Sequence, residues 1–361
     1  VFPFSKKNIR PLLVFIFSFL GVFPIYSLGF CEEFQVLYQG IRPLGMGGAF
    51  MTLSNDENAL FYNPAGLNDV KDKGKIKILN PFLAFSKDAV GFVQDLKDLE
   101  GTNTAQVSDL LNKNLGKHHH LKTSLFPSYY RSNLAFGILG QGTMDLEVRN
   151  PSSPEVVSDA KLDIGGLVGA AWGLWDDRLQ MGVTAKVIHR QGIKKTFLPS
   201  DVVADFNPFE DTQRKTDFAF DLGSKFNFPF PFNPSVALVL QNISDLDFGE
   251  LGEIPQQLNA GIGINPEFWI LSSSLVFEVN DLTKNGGRDN DLYKRVHLGM
   301  EVRFPMTIAL RAGLNQGYLT AGATLDFWVL QFGYATYAEE LGTYAGQRGN
   351  RRHAVQLSLV L

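Results

Sequence analysis

Asp217-Phe218-Ala219-Phe220-Asp221-Leu222-Gly223-Ser224-Lys225-Phe226-Asn227-Phe228 alternates with a period of two. Phe218, Phe220, Leu222, Phe226 and Phe228 fall on one face, and Asp217, Asp221, Lys225 and Asn227 on the other. Successive strand side chains point to opposite sides, so this stretch is a strand between an apolar and a polar environment. It is also longer than the five or six residues of a typical globular strand, and long enough to cross a bilayer at a tilt.

The same pattern recurs outward in both directions. Val296, Leu298, Met300, Val302 and Phe304 alternate with His297, Gly299, Glu301 and Arg303. Val355, Leu357, Leu359 and Leu361 alternate with Ala354, Gln356 and Ser358. Fourteen such segments run at 75–85, 118–131, 133–149, 160–175, 178–196, 214–228, 234–243, 255–266, 268–281, 292–304, 306–315, 317–327, 328–338 and 352–361. Their connections alternate between short ones and longer ones at 86–117, 150–159, 197–213, 244–254, 282–291 and 339–351, with Asn315-Gln316-Gly317 tight in the second series. An even strand number with short turns on one side and long loops on the other is the pattern of an outer-membrane barrel. Trp172, Trp175, Trp269 and Trp328 all fall at the short-turn side, where aromatic rings meet the membrane interface. A periplasmic β-sandwich or solenoid is the soluble rival, and it predicts shorter strands and no sided loops. The expected fold is therefore all-β, a membrane-spanning antiparallel barrel of about fourteen strands occupying 74–361.

Composition agrees. Of 361 residues, 45% are apolar and only 19% are charged, with 35 glycines and 30 phenylalanines. A net charge of −4 gives no basis for nucleic-acid binding. One cysteine, Cys31, excludes an intrachain disulfide and any paired-cysteine metal or redox motif. Lys6, Lys7 and Arg10 precede an apolar core from Leu12 to Phe23 and the small-residue exit Ser27-Leu28-Gly29. That reads as a signal peptide over 1–29, with an uncleaved membrane helix as the alternative. Leu28-Gly29-Phe30-Cys31 departs from a lipoprotein box by the bulky Phe30, so Cys31 is taken as incidental. No later run of 18 apolar residues exists, which excludes a helical multi-span protein.

The polar faces are also small. Gly165, Gly169 and Gly173 lie opposite Leu162, Ile164, Val168, Trp172 and Leu174, and Gly182, Gly223, Gly299 and Gly313 take similar positions. Such glycines either relieve curvature or leave a void that water or a plug must fill. Inward charges are Lys161, Asp163, Lys186, Asp221, Lys225, Glu278, Glu301, Arg303 and Arg311. Both signs occur, which favours a paired network over a single-sign selectivity ring.

One stretch lies outside the sheet pattern. Gly45-Met46-Gly47-Gly48-Ala49-Phe50 is followed by Glu57 to Tyr62 and then by Asn63-Pro64-Ala65-Gly66-Leu67. Together with the strand count, Gly45, Gly47, Gly48 and Asn63-Pro64-Ala65-Gly66 resemble the hatch of the FadL-like outer-membrane transporters of long-chain fatty acids and hydrocarbons. PorV-like secretion proteins and TraF-like proteins share this motif. The resemblance implies an N-terminal hatch over 30–73 inside the lumen, passive uptake of a hydrophobic small molecule across the bacterial outer membrane, and no cofactor. A PorV-like anchor holding a secretion partner protein is the alternative, and a rim enzyme is a weaker one. Whether the hatch gates or only fills space is left open by the residues themselves.

The segment 86–117 is different again. Val90, Val93, Leu96 and Leu99, then Val107, Leu110 and Leu111, recur at helical spacing among charges. They predict two amphipathic helices at the outer surface. These would form a hydrophobic groove, meet outer-membrane lipid or lipopolysaccharide, or simply cap the barrel. His118-His119-His120 cannot all face one metal from a strand, because neighbours point opposite ways, so no metal site is expected. His189 and His353 lie near outer ends with no nucleophile motif beside them.

Overall fold

The computed structural model describes residues 33–71, 74–97, 104–198, 212–268, 270–286, 291–305 and 307–361. The expected signal segment, Cys31, Leu99 and Trp269 lie outside them.

Among the described residues, fourteen antiparallel staves close into one barrel. Stave β1 has two parts, Lys75–Leu79 and Phe82–Ser86, and so has β2, His118–Leu125 and Ser128–Arg131. β3 is Leu134–Arg149, β4 Glu155–Leu174, β5 Leu179–Phe197, β6 Gln213–Asn227 and β7 Ser235–Ile243. β8 joins Gln257–Ile264 to Glu267–Phe268, and β9 is Leu271–Val279. β10 is Val296–Arg303, β11 Ile308–Asn315, β12 Tyr318–Phe327, β13 Leu330–Glu340 and β14 Gly349–Val360. Closure is direct: β14 pairs with β1 at Arg352–Ser86 and Lys77–Val360. All fourteen expected strands are present.

The alternation of the sequence becomes the two surfaces of the wall. Ile164, Val168, Phe218, Leu222, Met300 and Leu357 are exposed outward, whereas Asp163, Thr184, Asp221, Glu278 and Glu301 are buried. An outward apolar band over a polar interior is what lipid requires of a closed sheet. No described helix is long and apolar enough to cross a membrane. At the short-turn end Trp172, Trp175, Phe230, Phe232, Phe304 and Trp328 are exposed, forming an aromatic rim at one interface. Those turns are tight, with Asn133, Trp175, Asp176, Asp177 and Trp328 at positive φ. Placing a charge in the band tests this reading. Val168→Arg, near the middle of β4, is expected to cost about 2–4 kcal/mol. Reversible unfolding in lipid vesicles measures it.

Two proline breaks face each other. Asn80-Pro81 interrupts β1 and Phe126-Pro127 interrupts β2. Proline removes a ladder donor. The Asn80 side chain repairs the gap: its amide donates to the Phe126 carbonyl at 2.7 Å, and its oxygen accepts from the Phe126 N–H at 2.7 Å.

At the outer end, the β3–β4 hairpin reaches farther than its alternation suggests. Its loop is short, with Asn150 at positive φ, because both staves continue to Arg149 and Glu155. The reason is packing. Helix α3 (Thr104–Lys113) covers the hairpin, burying Val107 and Leu111 against Val148 and, partly, Val156. The preceding helix α2 (Lys87–Lys97) buries Phe92, which stacks on His119 at 4.3 Å between ring centroids. One further departure is at 292–295, expected as strand, which forms a 3-10 turn before β10 begins at Val296.

Candidate functional site in the barrel lumen

The segment 33–71 carries little regular structure and lies against the inward side of the staves. It contains helix α1 (Ile41–Gly45) and 3-10 turns at Glu57–Leu60 and Pro64–Asp69. Local chemistry sets its shape. Gly47 and Gly48 take positive φ, which permits the reversal after α1. Asn63 caps the second 3-10 turn: its side-chain oxygen accepts from the Ala65 N–H at 3.0 Å, with Pro64 at the first position. The Asn63 amide also donates to the Met51 carbonyl at 3.1 Å and the Ser224 carbonyl at 3.4 Å, tying two parts of the segment to β6.

The inward glycines are where this backbone touches the wall. A Cβ added to Gly182 would lie 2.4 Å from the Pro64 carbonyl carbon, and one on Gly223 would lie 2.1 Å from the Asn63 Oδ1. One on Gly299 would meet the Met46 carbonyl oxygen at 2.5 Å, and one on Gly313 the Met46 carbonyl carbon at 2.5 Å. Gly45 packs against Gly322, with a Cβ on either only about 3 Å from the other's Cα. Gly169 faces Leu60. Gly165 is different, because its neighbours are Val187 and Ile188 of β5. The Ala65 nitrogen lies 2.5 Å from where a Cβ on Gly182 would sit, and a side chain on Gly66 would strike the Ser54 carbonyl oxygen at 2.0 Å.

The inward charges form pairs, and several pairs bind the segment. Glu301 receives two bonds from Arg42, at 2.8 and 2.9 Å, and one from Arg311 at 2.7 Å. The half-exposed Arg303 reaches the same carboxylate at 3.2 Å. Arg42 also holds Asn55 at 2.8 Å and Asp56 at 2.7 Å, and its guanidinium lies over the Phe50 ring. Burial alone would raise the Asp56 carboxyl, but Arg42 and Lys77 outweigh it and hold it below the usual carboxylate range. Lys225 pairs with Asp69, and Glu278 accepts the Met51 N–H. Asp163 pairs with Arg190 at 2.6 Å and Lys186 with Asp221 at 2.8 Å within the wall, while Lys161 pairs with Asp159 at 2.9 Å and also donates to Gln35 of the segment at 3.5 Å.

Sequence reasoning passed over Arg42, Glu57, Lys77, Arg190 and Arg352. Lys77 meets Glu57 at 2.6 Å, and Arg352 holds Glu33 at 2.6 and 2.8 Å. Their inward strand parity was the available signal for Lys77, Arg190 and Arg352. Arg42 and Glu57, in an irregular segment, had none. The residues of the expected outer groove are not brought together. Val90 and Val93 are exposed, Val107, Leu110 and Leu111 are buried, and the side chain of Leu96 lies outside what is described.

Above the segment, between it and the outer ends of β7 to β13, is a cavity of about 100 Å³. Its walls combine Phe34, Phe61, Tyr62 and Met51 with amides such as Gln257 and Asn280.

No protein-family model and no curated protein matches this sequence. Solved structures do. The CymD monoaromatic hydrocarbon channel superimposes with a TM-score of 0.51 at 13% identity, over 91% of this chain and 98% of that one. The Ralstonia pickettii toluene transporter TbuX gives 0.51 at 10% identity, over 89% and 97%. The chain has the fold of the FadL-like transporters. At these identities the likeness establishes the architecture alone, a FadL-type barrel, and chemistry has to come from the lumen itself.

Proposed function

We propose that this FadL-type barrel lets hydrophobic small molecules cross the outer membrane passively, with the segment 33–71 as a displaceable hatch. The observation behind the proposal is the way the segment is held. It occupies the small-residue side of the wall through ion pairs and hydrogen bonds, with a ring-lined cavity directly above it. Apolar side chains of the segment, among them Leu37, Leu60 and Leu67, also pack with Leu139 and Leu167 of the wall, and the polar ties are the part that water can replace on release. Long-chain fatty acids belong to the proposed range only if the hatch moves, because the cavity alone is too small for an extended chain.

Uptake into a strain lacking the protein tests the function. Cells with the protein are expected to take up a hydrophobic probe faster than cells without it. Equal uptake, with a secreted protein co-purifying, would replace transport by the anchoring role of PorV-like proteins. The hatch itself is tested by Asn63→Ala with Pro64→Ala. Loss of the cap removes about 0.5–2 kcal/mol, so permeability in reconstituted vesicles should rise. Unchanged permeability would make the hatch a structural filler.

A further inference from the structure

The lumen cavity is lined for more than hydrocarbon. Phe34, Phe61 and Tyr62 give it ring surface, but the Asn280 side-chain oxygen is buried there without a hydrogen-bond partner among the described residues. The Gln257 amide and the Tyr62 hydroxyl, which also line it, make no hydrogen bond among the described residues. The charged lining groups, in contrast, are already engaged. Lys186 is paired with Asp221 and bonded to the Asn242 oxygen at 2.6 Å. Arg295 faces Asp281 at 3.6 Å, Glu278 accepts the Met51 N–H, and Glu339 accepts from Gln316 at 2.8 Å.

We propose that this cavity binds a small neutral ring compound bearing a hydroxyl or carbonyl oxygen, a phenol rather than a plain hydrocarbon. This rests on the transport reading and narrows its substrate class. A cavity of about 100 Å³ is of the size that accepts one ring and no long chain. A hydrocarbon filling it would cut the Gln257 amide and the Tyr62 hydroxyl off from water and leave the Asn280 oxygen unpaired, and a buried polar group left unpaired costs about 1–3 kcal/mol. A site with such groups therefore discriminates strongly against the analogue that lacks the matching oxygen. A charged ligand would have to compete for groups whose partners are already in place.

p-Cresol and toluene form the diagnostic pair, since they differ by one hydroxyl. Equilibrium dialysis of each against the detergent-solubilised full chain, with empty micelles as blank, should show p-cresol bound at least tenfold more tightly. Asn280→Leu with Gln257→Leu should reduce p-cresol binding about tenfold and leave toluene unchanged or improved. Should that double variant fail to fold, Tyr62→Phe removes one hydroxyl at no cost in shape and should weaken p-cresol severalfold. Toluene binding as tightly as p-cresol, or p-cresol binding unaffected by these variants, would overturn the substrate class and leave transport standing. Absence of binding by either probe overturns it as well. In that case protein-dependent uptake of both probes by cells keeps the transport reading, and protein-independent uptake removes that reading too.

Discussion

Glu301→Leu is expected to destabilise the protein by about 3–5 kcal/mol, the cost of stranding buried charge. The side chain removed is the common acceptor for Arg42 and Arg311, both buried. Arg42 would keep Asp56 and Asn55 but lose its tie to the wall, so the loss should appear at the hatch first. Limited proteolysis near α1 should accelerate in the variant, together with a lower unfolding midpoint in vesicles. The compensating experiment separates charge from packing. Combining Glu301→Leu with Arg42→Met and Arg311→Met removes both buried arginines, leaving the half-exposed Arg303 to solvent and Asp56 to Lys77, and buried triads replaced by apolar groups often recover or exceed the original stability. A triple variant as unstable as the single one would show that shape, not charge, is what Glu301 contributes.

Gly182→Leu should have an effect of similar size by a different route. Its Cβ would sit 2.4 Å from the Pro64 carbonyl carbon and 2.5 Å from the Ala65 nitrogen, both backbone atoms that no rotamer change can move. The wall at this point is continuous ladder, with β5 paired to β4 and β6 on either side. The hatch is the softer partner, because its 3-10 turns have few internal bonds. The variant barrel should therefore still assemble, with the hatch shifted and the lumen open. Single-channel conductance in planar bilayers should rise from near closure to steady openings. Val183→Leu, on the outward side of the same stave, serves as the control and should change nothing.

Much of this architecture is written in the chain, for reasons that differ from element to element. Period two is a strictly local signal, so Asp217 to Phe228 declares both its strand and its faces. Aromatic placement is equally local, and Trp172, Trp175 and Trp328 mark one rim without any knowledge of pairing. The inward glycines implied an occupant of the lumen, and Gly182, Gly223, Gly299 and Gly313 meet one. The attachments of that occupant were not legible. Arg42 and Glu301 are 259 residues apart, and nothing local selects that partner among the inward carboxylates. The outer helices show the same limit. Helical spacing offered α2 a Val90–Val93 face, but the aromatic surface of His119 lies under Phe92, and that contact sets the rotation of the helix. The amides of the cavity, Gln257 and Asn280, sit at stave ends where alternation stops carrying information.

Passage by this route requires the hatch to leave the wall, and a reversible lock separates a moving hatch from a fixed one. Ile41 of α1 lies against Gly333 of β13, and a Cβ on Gly333 would be 3.6 Å from the Ile41 Cβ. That separation suits a disulfide. In a Cys31→Ser background, Ile41→Cys with Gly333→Cys should join hatch to barrel under oxidising conditions. Uptake of a hydrophobic probe by cells carrying this variant should stop when the bond forms and return on adding reductant. Equal uptake in the oxidised and reduced protein would contradict the account and leave residues 33–71 as a fixed part of the barrel's interior.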